Sequence, residues 1–417
     1  MRGVCAFFML VVSLAAQAQK FSSELFSDEL KSLVVCRNGD DLQDPVIRLG
    51  GDEFVHIGFD LMSKQPRDYS YRIFHCNADW TKTSTLTRMD YMQGFEDNPI
   101  EEYESSFNTT FDYTHYSLAI PNENVQLLLS GNYVAQIFET DAPDKVVATA
   151  CFSLSEDKLE LEGEVSPNTV HGVKTKYQQV NFEIDCSQFA VTAPQEELKI
   201  LVRQNGRTDN QVFGVEPTYI QPTKLVFEDN KKLVFEAGKE FEKIDFSHIR
   251  NFSGAIETIK FHHPYYHVDV MPGEDRTRKE YYHSEDVDGR FKIHGQSIWT
   301  DKEIDYSVVH FTFPAEEPWL DGALYVGGYL NGNRLDKNNK MQYSFERKQY
   351  ELTMVLKNGG YNFQYLFLPA GLKCATLSRT SGSCWETENE YVIYVYFRSL
   401  GGQYDRLVAV RSLFFNK

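Results

Sequence analysis

Positive charge is in short supply in this chain. Lys and Arg number 42 against 60 Asp and Glu, a formal charge of -18 over 417 residues. Such a chain repels phosphate backbones and anionic headgroups, which excludes nucleic acid as a partner and electrostatic docking to a membrane surface. Long apolar runs are missing beyond the first 18 residues. None approaches the ~20 residues that a membrane helix needs, so no direct membrane anchor is expected. Recognisable chemistry is missing as well. There is no P-loop, no G-x-S-x-G, no G-x-G-x-x-G, no EF-hand-like acidic loop and no C-x-x-C pair. A chain without these signatures is expected to bind or support rather than catalyse, with no cofactor and no metal ligands.

Residues 1–18 read as an export signal. Arg2 supplies a small positive region, Val4 to Ala16 are mostly apolar, and Ala16-Gln17-Ala18 is a cleavage site of the A-x-A type. Cys5 lies inside that leader, and six cysteines follow it: Cys36, Cys76, Cys151, Cys186, Cys374 and Cys384. An even number in an oxidising compartment permits disulfides without demanding them. Cys374 and Cys384 flank one Ser/Gly-rich loop and are the expected bridge.

What is abundant is period-two alternation. Val55, Ile57, Phe59 and Leu61 share one parity, as do Tyr116, Leu118 and Ile120, and Tyr133, Ala135 and Ile137. Val180, Phe182 and Ile184 repeat the pattern, followed by Leu198, Ile200 and Val202. Turn residues separate these runs and no long helical stripe interrupts them. The pattern predicts an all-β chain of tandem immunoglobulin- or fibronectin-like sandwiches. We divide it into a leader (1–18), an N-terminal sandwich (19–155), a second β-rich domain (156–300) and a C-terminal sandwich of the E-set or immunoglobulin type (301–417). Two hairpins are expected on turn chemistry. One joins Leu225–Phe227 to Leu233–Phe235 around Asp229-Asn230. The other joins Tyr350–Leu356 to Tyr361–Phe367 across Asn358-Gly359-Gly360, whose residues tolerate the positive φ of a tight turn. A third pairs Tyr391–Phe397 with Leu407–Val410.

Three residue groups invite a chemical reading. His75-Cys76 resembles a thiol nucleophile with its base, but neighbours on a strand point to opposite faces. Alternation instead puts Phe74, Cys76 and Trp80 on one face, which reads as core. His262, His263 and His267 in FHHPYYH would need a further fixed ligand to hold a metal, and their spacing is not helical. Acidic pairs such as Glu101-Glu102, Glu316-Glu317 and Glu388/Glu390 cannot be placed on one sugar from sequence alone. The 24 Tyr and 30 Phe suit both strand faces and interfaces, since a tyrosine ring buries while its tip stays wet.

The stretch from Tyr71 to Phe138 resembles the type IX secretion system plug proteins of the Bacteroidota through HCNADW, the GF…SSFNTT run, THYSLAIPN and SGNY. Residues 305–311 (DYSVVHF), 361–365 (YNFQY), 387–391 (TENEY) and 404–407 (YDRL) are similar too, so the resemblance spans nearly all of the mature chain. It implies a soluble periplasmic protein, monomeric when free, that closes the periplasmic opening of the giant outer-membrane translocon β-barrel without catalysis. Gly322 to Tyr329 also resembles sugar-binding E-set modules, which leaves a periplasmic or surface glycan-binding sandwich as the alternative. For the partner surface we look to the loop from Asp79 to Asn108, with Trp80, Tyr91, Phe95, Tyr103, Phe107 and Asn108 as candidate contacts. The competing reading is that several of these fill the core.

Overall fold

The computed structural model describes residues 20–83, 85–295 and 301–415; the expected leader at 1–18 lies outside them. The fold is all-β, built from sandwiches in tandem. In the first sandwich, one sheet runs Leu30–Arg37, Val55–Leu61, Thr114–Ile120, Glu102–Ser105. The facing sheet runs Ala142–Ser155, Gly131–Glu139, Tyr69–Cys76, Asn98–Pro99. The parity read from sequence is the buried parity here: Val55, Ile57, Phe59 and Leu61 meet Tyr116, Leu118 and Ile120 inside. Phe59 stacks on Tyr116 at 5.1 Å, and Tyr69 meets both rings edge-on.

The strand Tyr69–Cys76 corrects one expectation. Its core face is Tyr69, Tyr71 and Ile73, not the face of Phe74. Phe74 is only half-buried, with the Lys82 ammonium 3.7 Å from its ring centroid. The tyrosines win the interior because their hydroxyls find partners there; Tyr71, for example, accepts from Asn122 Nδ2 at 2.9 Å.

The second sandwich faces Glu160–Ser166, Tyr177–Asp185, Lys224–Phe227 and Tyr219–Ile220 against Val212–Phe213, Leu198–Gln204, Asn389–Phe397 and Arg406–Phe415. Its core joins Val180, Phe182, Ile184, Ile200 and Val202 to Tyr391, Ile393 and Val395. The C-terminal hairpin is therefore hydrogen-bonded to Leu198–Gln204 along seven residue pairs, and it completes the second sandwich rather than the third. The expected division at 300 gives way to an insertion: the third sandwich lies between Val234–Glu236 and Asn389–Phe397.

Two expected hairpins also resolve differently. Lys224–Phe227 and Val234–Glu236 do not pair with each other; both line up along Tyr177–Asp185, at its Phe182–Asp185 and Tyr177–Gln179 ends. Gln349–Lys357 pairs with Tyr306–Pro314, whereas Gly359–Pro369 pairs with Glu242–Asp245, Phe291–Ile293 and Gly322–Gly327 in the opposite sheet. Asn358-Gly359-Gly360 is an arch between sheets. Asn358 is held across it, donating its N–H to the Asp305 carbonyl and accepting from Ser307 Oγ, each at 2.8 Å.

Candidate partner-docking surface

The segment from Met92 to Asn108 borders both sheets of the first sandwich. Asn98–Pro99 is the outermost strand of one sheet and Glu102–Ser105 of the other. Every residue of Glu102–Ser105 is exposed. Its inner side pairs with Thr114–Ile120, and its outer side is a free strand edge among the described strands. Charge blunts such an edge against indiscriminate pairing. Glu96, Asp97, Glu101, Glu102 and Glu104 are all exposed here; Asp97 is held by Arg72 at 2.8 and 3.0 Å, and Glu104 by Lys302 at 2.8 Å.

The six candidate contacts divide along this border. Phe95 (74% exposed), Phe107 (67%) and Tyr103 (46%) are open, and Tyr103 rests its ring 5.6 Å from that of Tyr116. Asn108 is exposed at φ +58, a conformation asparagine tolerates well. It follows Phe107, whose N–H donates to the Lys302 carbonyl at 3.0 Å. Tyr91 does not belong to the surface. It is 5% exposed within the first core, donates its hydroxyl to the Ile73 carbonyl at 3.1 Å, and burial pushes its pKa up to about 12. Trp80 is half-buried at φ +66, closing a turn with its N–H on the Asn77 carbonyl.

That turn leads to a site the sequence signals did not assign. HCNADW, SGNY and YDRL converge at the junction of the first two sandwiches. Asp405, almost fully buried, accepts from the Ala78 N–H at 2.9 Å and pairs with Lys199 at 2.9 Å and Arg398 at 2.8 Å. Arg398 also donates to Asn77 Oδ1 at 2.7 Å. Asn132 donates to the Asn77 carbonyl and accepts from Ser153 and Tyr396. Gly131, at φ +127, has no room for a side chain: a Cβ would stand 2.7 Å from His75 Nε2 and 2.8 Å from the Asp405 carbonyl. His75 contacts Thr83 Oγ1 and the Ser130 carbonyl, with Tyr404 edge-on at 5.3 Å. Neither ring nitrogen serves Cys76, whose thiol burial pushes up to about 12. The two side chains are not arranged as a nucleophile and its base.

The three sandwiches are locked on each other by further buried polar contacts. Arg290 of the third pairs with Asp44 of the first at 3.1 Å and Glu390 of the second at 2.6 Å. This lock borders a polar cleft of about 930 Å³, also lined by Arg37, Arg48 and Asp288. The Phe111 ring stacks on Tyr265 at 3.8 Å, and Asp305 accepts from the Thr110 and Phe111 N–H groups. Of the acidic pairs noted in the sequence, Glu390 is thus spent inside the junction, whereas Glu101, Glu102 and Glu316 are exposed.

Residues 30–156 match the family described as Type 9 secretion system plug protein 1st domain. This first sandwich belongs to the type IX secretion system plug family. The matched plug segment is the first sandwich, including the free edge and the HCNADW and SGNY halves of the junction. A crystal structure of a hypothetical protein from Parabacteroides merdae is similar throughout, with 39% identity over 95% of this chain and 100% of that one, and a TM-score of 0.93. No curated protein matches the chain. The plug-domain match supports involvement in type IX secretion. No helix among its described residues is long and apolar enough to cross a membrane.

Cys374 and Cys384 are not bonded to each other, contrary to the bridge expected from the loop between them. Cys374 Sγ lies 3.5 Å from the Ala375 carbonyl, and Cys384 Sγ 3.9 Å from Glu386 Oε2. The intervening loop is held without a bridge. Thr380 donates to the Tyr365 carbonyl and Ser383 to the Lys176 carbonyl, each at 2.6 Å.

Proposed function

We propose that this chain is a non-catalytic periplasmic plug, monomeric when free, that seats against the periplasmic opening of the type IX outer-membrane translocon barrel and occludes it. Family membership of the first sandwich carries the reading. Occlusion demands a body that does not flex under load, and the buried locks at Asp405 and Arg290 favour one rigid unit. The acidic, aromatic border at Phe95, Tyr103 and Phe107 is the seat we assign to the barrel, since exposed aromatics with satisfied neighbours are the usual anchors of an interface.

The test is affinity purification of the tagged protein from native envelopes of its own cells. Recovery of a large outer-membrane barrel protein, lost in a Phe95→Ser/Tyr103→Ser/Phe107→Ser triple variant of unchanged melting temperature, is the expected result. Recovery of no barrel protein, together with measurable polysaccharide binding, overturns the plug in favour of a glycan-binding module. Recovery that survives the triple variant removes the proposed seat.

A further inference from the structure

The outer face of the third sandwich carries a histidine cluster that plugging does not use. His262 ends the strand Ile256–His262, His267 lies in Tyr265–Val270, and His310 in Tyr306–Pro314. Alternation sends Val268, Val270, Val309, Phe311 and Phe313 into the core, so His267 and His310 stand on the opposite, solvent side. Tyr265–Val270 and Tyr306–Pro314 pair in parallel, with Val308 opposite His267 and Asp269 opposite His310. Residues 43 apart in sequence thereby meet. His267 Nδ1 and His310 Nε2 are 2.8 Å apart, with the rings stacked at 5.1 Å. The His262 ring is 5.2 Å from that of His267 and nearly perpendicular to it. The further fixed ligand that FHHPYYH lacks on its own is supplied by the next strand of the sheet.

His310 is also anchored from behind. Its Nδ1 is 3.0 Å from Thr353 Oγ1 on the neighbouring strand Gln349–Lys357. Fixing one imidazole nitrogen in this way presents the other as a ligand. We infer that His267 and His310, completed by His262, bind a nitrogen-preferring divalent transition-metal ion, represented by Zn²⁺, on the outer face of the third sandwich. Two nitrogens on one tetrahedral Zn²⁺ sit about 3.4 Å apart, from Zn–N bonds of about 2.1 Å. The pair must therefore open by about half an ångström, a change that surface rings make by small χ rotations. The hydrogen now shared between the rings has somewhere to go: with Thr353 accepting from His310 Nδ1–H, His267 shifts its proton from Nδ1 to Nε2. Both rings then bind neutral, and no proton is lost. Among the described residues no group of three or more His, Cys, Asp or Glu side chains is already placed to hold a metal ion. His262, exposed at its strand end, supplies the third by rotating toward the pair, with water filling the rest. Asp269, opposite His310 in the register, and Glu351 are nearby carboxylates that favour a cation there; Lys260, opposite His267, is a nearby opposing charge.

The test is calorimetric titration of ZnCl₂ into the tag-free full chain at neutral pH. One saturable site is expected, weakened at least about tenfold by His310→Ala or His267→Ala and less by His262→Ala. His263→Ala, in the exposed turn, should leave it unchanged. Thermal melts without metal separate lost binding from lost folding, since these side chains lie outside the core. The inference is overturned if no saturable site appears, or if the site survives both His267→Ala and His310→Ala.

Discussion

Asp60 of the first sandwich and Lys357 of the third form an ion pair at 2.7 Å with both side chains closed to solvent. His115 and Tyr306 complete the carboxylate's shell at 2.6 Å each, and the Lys357 ammonium stands 4.6 Å from the Tyr113 ring. Burial pushes the Asp60 pKa up, but Lys357 and His115 outweigh it and hold the group below its ordinary 3.8. Removing one partner leaves the other charged and buried, at a cost of about 3–5 kcal/mol. Asp60→Asn should therefore lower the urea midpoint strongly, whereas the double change Asp60→Asn/Lys357→Met should recover part of the loss. A depressed carboxylate contributes stability above its unfolded pKa and loses it as pH falls through the folded one. Asp60→Asn should accordingly flatten the steep acid limb below about pH 4. A double variant no better than the single one would show that the pair is not the coupling.

The buried His75 and the half-buried Asp288 oppose one another in their pH dependence. Burial holds His75 at about 4, against an ordinary 6.5. The unfolded chain binds the extra proton between those values, so the folded state loses up to about 3 kcal/mol as pH falls from 6.5 to 4. Asp288 is pushed up to about 7 by burial and by Asp286. Here the folded state holds the extra proton, and stability falls as pH rises from 3.8 to 7. The two slopes partly cancel in the whole chain. Asp288→Asn removes the second; asparagine also suits the φ of +52 at this position. The variant should be more stable by about 2 kcal/mol at pH 7.5, after allowing for solvent screening, with a smaller gain at pH 4.5. Its melting temperature should then rise more steeply than that of the native chain between pH 4.5 and 6.5. An unchanged gain across that range would contradict the assignment.

Strands were legible in the sequence and their partners were not, for a geometric reason. Tyr350 and Leu356 alternate in step with Tyr361, Phe363, Tyr365 and Phe367, and all six face one core. A hairpin within one sheet and an arch between two facing sheets bury the same residues, so periodicity cannot choose between them. Asn358 decides it through bonds to Asp305 and Ser307, contacts about 50 residues away that no local pattern encodes. The same limit hid the insertion of the third sandwich. In the candidate surface, Phe95 and Phe107 lie outside the strands and are exposed. Tyr91 was misplaced because its one-turn helix, Arg88–Tyr91, turns a single ring inward with no periodic run to reveal it.

The cysteines give a direct covalent check. Non-reducing mass spectrometry should find Cys374 and Cys384 as separate thiols, with no loss of two hydrogens from the peptides that span them. Cys374 is exposed whereas Cys36 and Cys76 are buried, so a small alkylating agent should modify Cys374 first and reach the other two only after unfolding. Although the residue as a whole is exposed, its sulfur is partly enclosed, and that desolvation together with Asp209 raises the Cys374 pKa, so its labelling should accelerate as pH rises above neutral. A disulfide between 374 and 384 in protein isolated from its own cells would restore the sequence-based expectation and require the loop between them to repack.

The docking surface makes a prediction that separates its members. Tyr91→Ala empties a core position and leaves the Ile73 carbonyl without its hydroxyl donor; the loss should be about 3–5 kcal/mol, read as a fall in melting temperature, by analogy with other large aromatic truncations. Phe95→Ser, Tyr103→Ser and Phe107→Ser remove exposed rings and should each change stability by no more than about 0.5 kcal/mol. Any loss of partner capture in these three then reports the interface itself. In Tyr91→Ala, loss of capture should instead track the unfolded fraction and return under conditions that restore folding, such as lower temperature. Charge supplies the complementary readout. Glu102→Lys/Glu104→Lys reverses two exposed carboxylates on the free edge, and Glu104 loses its pairing with Lys302, a surface contact worth about 0–1 kcal/mol. If the seat meets a basic rim, the double change should slow association and reverse its salt dependence while the fold stays intact. Capture that is insensitive to both the aromatic and the charge changes would move the interface off this border.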